Sequence, residues 1–265
     1  MTATTRIALG VEYNGAAFHG WQRQSAPAIA TVQAALEKAL SHVADQSITV
    51  NCAGRTDAGV HGSGQVVHFE SGVDRGEKAW IRGTNSHLPP QVRVQWARVV
   101  TDDFHARHSA LSRRYRYVIY TGAIKPTALI QQLTHVKDEL NVAAMHEAGQ
   151  HLLGENDFSA FRAAGCQSRT PMRCINEISV TRQRRFIVLE VEANAFLLHM
   201  VRNIAGALLE VGAGRQPSDW VRQVLATRDR TQNAVTARPD GLYLVNVGYP
   251  ERFGLPVLPL GPCFL

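Results

Sequence analysis

Cys52–Gly64 reads CAGRTDAGVHGSG, with four glycines, one arginine, one aspartate and one histidine. Apolar residues flank it on both sides: Ile48 and Val50 before, Val66, Val67 and Phe69 after. That pattern predicts two strands, ITVNCAG and GQVVHFES, joined by a glycine-rich loop. The loop lacks the GK[ST] ending of a phosphate-binding P-loop, and no helix clearly follows it as a dinucleotide fingerprint would require. A lone aspartate before Ala-Gly often does no more than shape a turn. Three features favour chemistry at Asp57. Arg55 stands two residues earlier, in a position to hold the carboxylate ionised. Gly54 and Gly59 let the backbone come close to another molecule. The loop also sits at a strand end, where scaffolds display reactive groups. No second carboxylate lies nearby in sequence, so a paired-carboxylate glycosidase is not supported, and an ionised aspartate suits a nucleophile better than an acid.

Outward from this loop, RIALGVEYNG alternates with Ile7, Leu9 and Val11 on one face and reads as a strand. Gly15 and Gly20 mark a loop that runs on through Trp21, Gln22 and Arg23. Thr31 is a plausible N-cap for a helix carrying Val32, Leu36, Ala39, Leu40 and Val43. VRVQWARVV is a further strand, and TDDFHARHSA a connector. RRYRYVIYT restarts as a strand, followed by a helix over NVAAMHEAGQHLLG that Gly154 ends. A hairpin follows, Ile175–Thr181 with Phe186–Ala193, then a helix from about Leu197 to Val211, a short helix around Trp220–Leu225 and a late strand, LYLVNVGYP. Both halves read strand, helix, strand, strand, so the expectation is two α+β domains, residues 1–105 and 106–265.

The chain has 265 residues, 45% hydrophobic and 19% charged, with a formal net charge of +6. That is an ordinary globular balance with room for a core. Arginines cluster in FHARHSALSRRYRY, FRAAGCQSRTPMR and TRQRRF, and guanidinium forks suit phosphate. A polyanionic partner is one reading of that charge; solubility is the other. The four cysteines form no CxxC pair, and the scattered histidines lack a ligand spacing, so neither disulfides nor a metal are expected. No signal peptide or membrane span is evident, which suggests a soluble, cytoplasmic protein. In RRYRYVIY, Tyr115 and Tyr117 fall on one face and Arg114 and Arg116 on the other. The tyrosines are core residues or a surface on which a base stacks. Arg202 sits in the apolar run NAFLLHMVRNIAGALLEVG; a buried guanidinium needs a partner, and Asp57 is an attractive one.

Taken together, CAGRTDAGVHGSGQVVHFE, FHARHSALSRRYRYVIY, LLGENDFSAFRAAGCQSRTP, NAFLLHMVRNIAGALLEVG and GLYLVNVGYP resemble the tRNA pseudouridine synthase A family over nearly the whole chain. The resemblance implies the pseudouridine synthase fold: two ferredoxin-like, RRM-like halves with mainly antiparallel sheets and an active-site cleft between them. It implies isomerisation of uridine at positions 38, 39 and 40 of the tRNA anticodon stem-loop, with no cofactor and no metal, by a homodimer. It gives Asp57 the role of nucleophile, Arg55 that of guiding the flipped nucleotide, Arg202 that of ion-pair partner, Tyr115 that of stacking on the uracil and Leu242 a place in the uracil pocket. Two segments fall where the family contacts tRNA: Phe104, His105, Ala106, Arg107 and His108, and Gly165, Cys166, Gln167, Ser168 and Arg169. His108 stands where the family pattern leads us to expect phenylalanine. The competing classes are an RNA-binding module without chemistry and a hydrolase of N-glycosidic bonds.

Overall fold

The computed structural model describes residues 4–24 and 29–265. In chain order the elements are β1 (Thr5–Tyr13), α1 (Val32–Ala44), β2 (Asn51–Cys52), β3 (His61–Ser71), α2 (Gly76–His87) and β4 (Val92–Val100). Next come β5 (Ser112–Thr121), β6 (Thr134–Val136), α3 (Val142–Gln150), β7 (Gly154–Asp157), β8 (Met172–Gln183) and β9 (Phe186–Ala193). The chain ends with α4 (Met200–Gly212), α5 (Trp220–Thr227) and β10 (Leu242–Gly248). The pairing is mainly antiparallel, as the α+β expectation requires.

Two compact units result, residues 1–111 with 243–265, and residues 112–242. This differs from a single cut at residue 105. The reason is hydrogen bonding: β10 runs parallel to β3, with Tyr243 opposite His61 and Leu244 opposite Gly62, so the tail returns to the first unit.

In the first unit the strand order is β4-β1-β3-β10, with β2 on β3. Leu9 and Ile7 of β1, Val67 and Phe69 of β3 and Leu36 and Leu40 of α1 form one buried cluster. Thr31 caps α1 by accepting the Ala34 N–H, as its sequence position suggested. Helix α2 has no counterpart in the sequence expectation. Only Trp80 and Thr84 are buried on it, too sparse a stripe to register as a period. The expected strand over ITVNCAG shrinks to Asn51–Cys52 because only those residues pair with β3.

In the second unit the order is β5-β9-β8-β7, with β6 on β5. The β8–β9 hairpin is longer than expected but in the expected place. Helix α3 stops at Gln150, and Gly154, at φ +81°, opens β7 instead of ending the helix. Helix α4 begins at Met200 rather than Leu197, because His199 at φ +59° breaks the helical path.

Candidate active site

The Asp57 loop is tied down on both sides of the carboxylate. Before it, the Thr56 carbonyl accepts the Trp21 N–H at 2.9 Å, and the Thr56 hydroxyl lies 2.9 Å from the Tyr13 hydroxyl. After it, Gly59 N–H donates to the Phe18 carbonyl at 3.4 Å, and Val60 N–H to the Asp57 carbonyl at 3.1 Å. At the base of the loop the buried Gln65 amide brackets Gly54, donating to its carbonyl at 2.7 Å and accepting its N–H at 3.4 Å. Gly20 is required here twice over. Its φ is +90°, and a Cβ would lie 2.9 Å from the Thr56 carbonyl oxygen. The backbone around Asp57 is thus pre-set, and the half-buried side chain sits on it with exposed Arg55 two residues away.

Beside this loop, the Phe104–His108 turn docks on β3 through histidine. The Ala106 N–H donates to His68 Nδ1 at 3.1 Å, and the Arg107 and His108 N–H groups reach His105 Nδ1 at 3.1 and 3.3 Å. Burial, helped by the neighbouring His105 and Arg6, pushes the His68 imidazole down to about 4. At neutral pH it is therefore an acceptor, which is what the Ala106 N–H needs. Phe104 and Ala106 are buried and hold the turn, while Arg107 and His108 are exposed. Burial pushes the Cys52 thiol up to about 11 against the pull of Arg55 and Arg107, which removes it as a nucleophile at neutral pH.

In the second unit, Tyr115 and Tyr117 share the inward face of β5, as alternation predicted. Tyr117 is wholly buried, its hydroxyl 2.6 Å from that of Thr134 and donating to the Arg238 carbonyl at 2.9 Å. Tyr115 retains 8% exposure and stands edge-on to Phe196, with centroids 5.1 Å apart. Arg202, half-buried on α4, donates from Nε to the Ala237 carbonyl at 2.8 Å, and the Ala237 N–H returns to the Arg202 carbonyl at 3.2 Å. Leu242 is buried at the end of the same segment, directly after the turn Pro239–Gly241. Residues 237–242 thus link Arg202 to Tyr117 and Leu242.

The Gly165–Arg169 loop is built by arginines that the sequence offered as phosphate ligands. Arg162 donates to the Cys166 and Ser168 carbonyls at 2.7 and 2.8 Å, and buried Arg173 to the Ser168 hydroxyl at 2.6 Å. Cys166 Sγ accepts the Leu198 N–H at 3.4 Å, while Gln167 and Arg169 stay exposed. The outward arginines of β5 are also spoken for. Arg114 pairs with Glu177, Glu190 and Glu192, and Arg116 with Glu190. Among the described residues no group of three His, Cys, Asp or Glu side chains is placed to hold a metal ion, and no helix is long and apolar enough to cross a membrane.

The sequence profile described as tRNA pseudouridine synthase matches residues 10–109 and 148–250, more than half of the chain. The chain belongs to the tRNA pseudouridine synthase family. It is 58% identical over 260 residues to tRNA pseudouridine synthase A of Actinobacillus succinogenes, with 98% of each chain covered. The Shewanella loihica protein of the same name is 55% identical, over 98% of this chain and 99% of its own. That of Salmonella typhimurium is 55% identical, over 100% of this chain and 97% of its own. As a member of the tRNA pseudouridine synthase family, this chain has Asp57 on a loop whose backbone freedom is gone. Sequence reading did not find Tyr13, Trp21 or Gln65, the residues that remove it. The only hint was Gly20, directly before Trp21.

Proposed function

We propose that this protein converts uridine to pseudouridine at positions 38, 39 and 40 of the tRNA anticodon stem-loop. The observation that carries the proposal is Asp57: a single carboxylate on a fixed loop, within the stretch that the family profile covers. The reaction breaks N1–C1′, turns the base and joins C5 to C1′. The hydrogen on C5 leaves as a proton and N1 ends protonated, so no redox partner is needed and no atom is lost. Asp57 acts as nucleophile, and Arg202 serves as its ion-pair partner. Arg55 guides the extruded nucleotide. Tyr115, which retains 8% exposure, stacks on the uracil, and Leu242 packs against it. Taking the base out of its stem costs a few kcal/mol, which arginine–phosphate contacts offset. Phe104–His108 and Gly165–Arg169 supply contacts to tRNA, with Arg107 and Arg169 as the exposed cations. The protein works as a homodimer in the cytoplasm.

The test uses tRNA tritiated at C5 of uridine, with Asp57→Ala as the control. Tritium release by the parent and none by the variant is the expected result. Tight tRNA binding without release would leave an RNA-binding module, and free uracil among the products would mean an N-glycosidic hydrolase.

A further inference from the structure

We propose that the Tyr13 hydroxyl is a positioning group for the isomerisation, acting through Thr56 on the carboxylate of Asp57. This rests on the reading of Asp57 as the reacting carboxylate. Tyr13 is the last residue of β1, 2% exposed, and its ring lies against that of Trp21 with centroids 5.7 Å apart. Its hydroxyl reaches Thr56, the residue immediately before Asp57, at 2.9 Å in a buried setting. Trp21 holds the same residue from its other side through the 2.9 Å bond to the Thr56 carbonyl. Thr56 is 7% exposed, so neither of its polar groups has bulk water as an alternative partner.

A buried hydrogen bond between two hydroxyls fixes a rotamer as well as a distance, because each oxygen must present a lone pair or a proton to the other. With its hydroxyl held by Tyr13 and its carbonyl by the Trp21 N–H, Thr56 anchors the chain before Asp57, and Gly59, tied to Phe18, anchors it on the far side. The carboxylate between them is left with its own two side-chain torsions and little else. An error of about 1 Å in placing a reacting group costs on the order of a hundredfold in rate. Tyr13 is thus too deep to touch the base and is placed to decide where the carboxylate points.

The experiment is single-turnover tritium release with enzyme in saturating excess over tRNA, with tRNA affinity and melting temperature measured on the same preparations. Tyr13→Phe keeps the ring and is expected to slow release by about 10- to 100-fold while affinity stays within about twofold. Thr56→Val should show a similar loss, and Thr56→Ser, which keeps the hydroxyl, should recover most of the rate. Because the pair acts as one unit, the double variant Tyr13→Phe/Thr56→Val should be no slower than either single one. Losses that multiply would overturn the assignment, as would a Tyr13→Phe protein that is merely less stable but turns over at the parental rate. The Thr56→Ser variant keeps the test decisive if Tyr13→Phe folds poorly, since a slow serine variant of normal stability would also refute it. Asp57→Ala is run alongside. If it releases tritium, the reading of Asp57 fails, whatever Tyr13 does. If it is inert and Tyr13→Phe is fast, only the positioning role fails.

Discussion

Two side chains show how a residue's surroundings set what can be asked of it. Tyr115 is almost buried and stands edge-on to Phe196, so it contributes to the core whatever it does for a substrate. Tyr115→Phe keeps ring, packing and stacking face, and should retain most of the tRNA affinity and activity. Tyr115→Ala removes the ring and should also cost about 3 kcal/mol of stability through the cavity it leaves. Comparable activity losses in two folded variants would transfer the role to the hydroxyl. His68 makes a different point. Its imidazole is neutral in the fold, at about 4, and accepts the Ala106 N–H. In the unfolded chain it titrates near 6.5. A folded value below the unfolded one means that stability is full above pH 6.5 and is lost as pH falls from there towards 4. The total is roughly 3 kcal/mol at most. Urea melts across that range should show the loss, and His68→Asn, whose Oδ1 can take over the acceptor role without titrating, should flatten it.

Helix α4 carries Arg202 and shows how an element can be shaped by what crosses it. Gly206 is four residues on, and a Cβ there would lie 2.2 Å from the Val235 carbonyl oxygen. The 235–237 segment therefore runs directly against the helix backbone, where its Ala237 carbonyl holds Arg202 Nε. Helix propensity alone would favour Gly206→Ala by about 1 kcal/mol. The clash is with backbone and cannot be relieved by a rotamer, so the sign reverses. The variant should melt lower and lose activity by displacing Arg202, and a more stable or equally active variant would show that the segment yields easily. The sequence carried α4 through its apolar period, α1 through Thr31 and its repeat, and the β8–β9 hairpin through alternation. It did not carry α2, whose core contact is little more than Trp80, or β6 and β7, which are short and defined by pairing partners distant in sequence. Candidate site residues were legible where their chemistry stood out, as with Asp57 among glycines or Arg202 among aliphatics. The Tyr13–Thr56 and Gln65–Gly54 contacts were not, because they join ordinary residues 43 and 11 positions apart.

At the scale of the whole molecule the question is what a net charge of +6 can do. Arginine clusters in the sequence suggested phosphate, yet several of those arginines are consumed internally. Arg114 and Arg116 neutralise Glu177, Glu190 and Glu192, while Arg162 and Arg173 hold loop carbonyls and a hydroxyl. Burial and ion pairing cannot be read from a one-dimensional cluster, which is why charge alone favoured neither solubility nor RNA. Of the arginines in those clusters, Arg107, Arg169, Arg182, Arg184 and Arg185 are exposed. Two groups of substitutions should then separate cleanly. Arg169→Ala removes an exposed cation from a loop that Arg162 and Arg173 still hold. If Arg169 meets a phosphate, tRNA affinity falls and the slope of log affinity against log salt becomes shallower by about 0.7 to 0.9. Arg114→Ala instead leaves three carboxylates facing one another. It should cost about 2 kcal/mol of stability, less than removing a partner from a fully buried pair, and leave the salt slope where it was. Measuring affinity between 50 and 200 mM salt for both proteins decides the matter. A shallower slope for Arg114→Ala, or an unchanged one for Arg169→Ala, would mean that RNA meets the charged face of β5 in place of the Gly165–Arg169 loop.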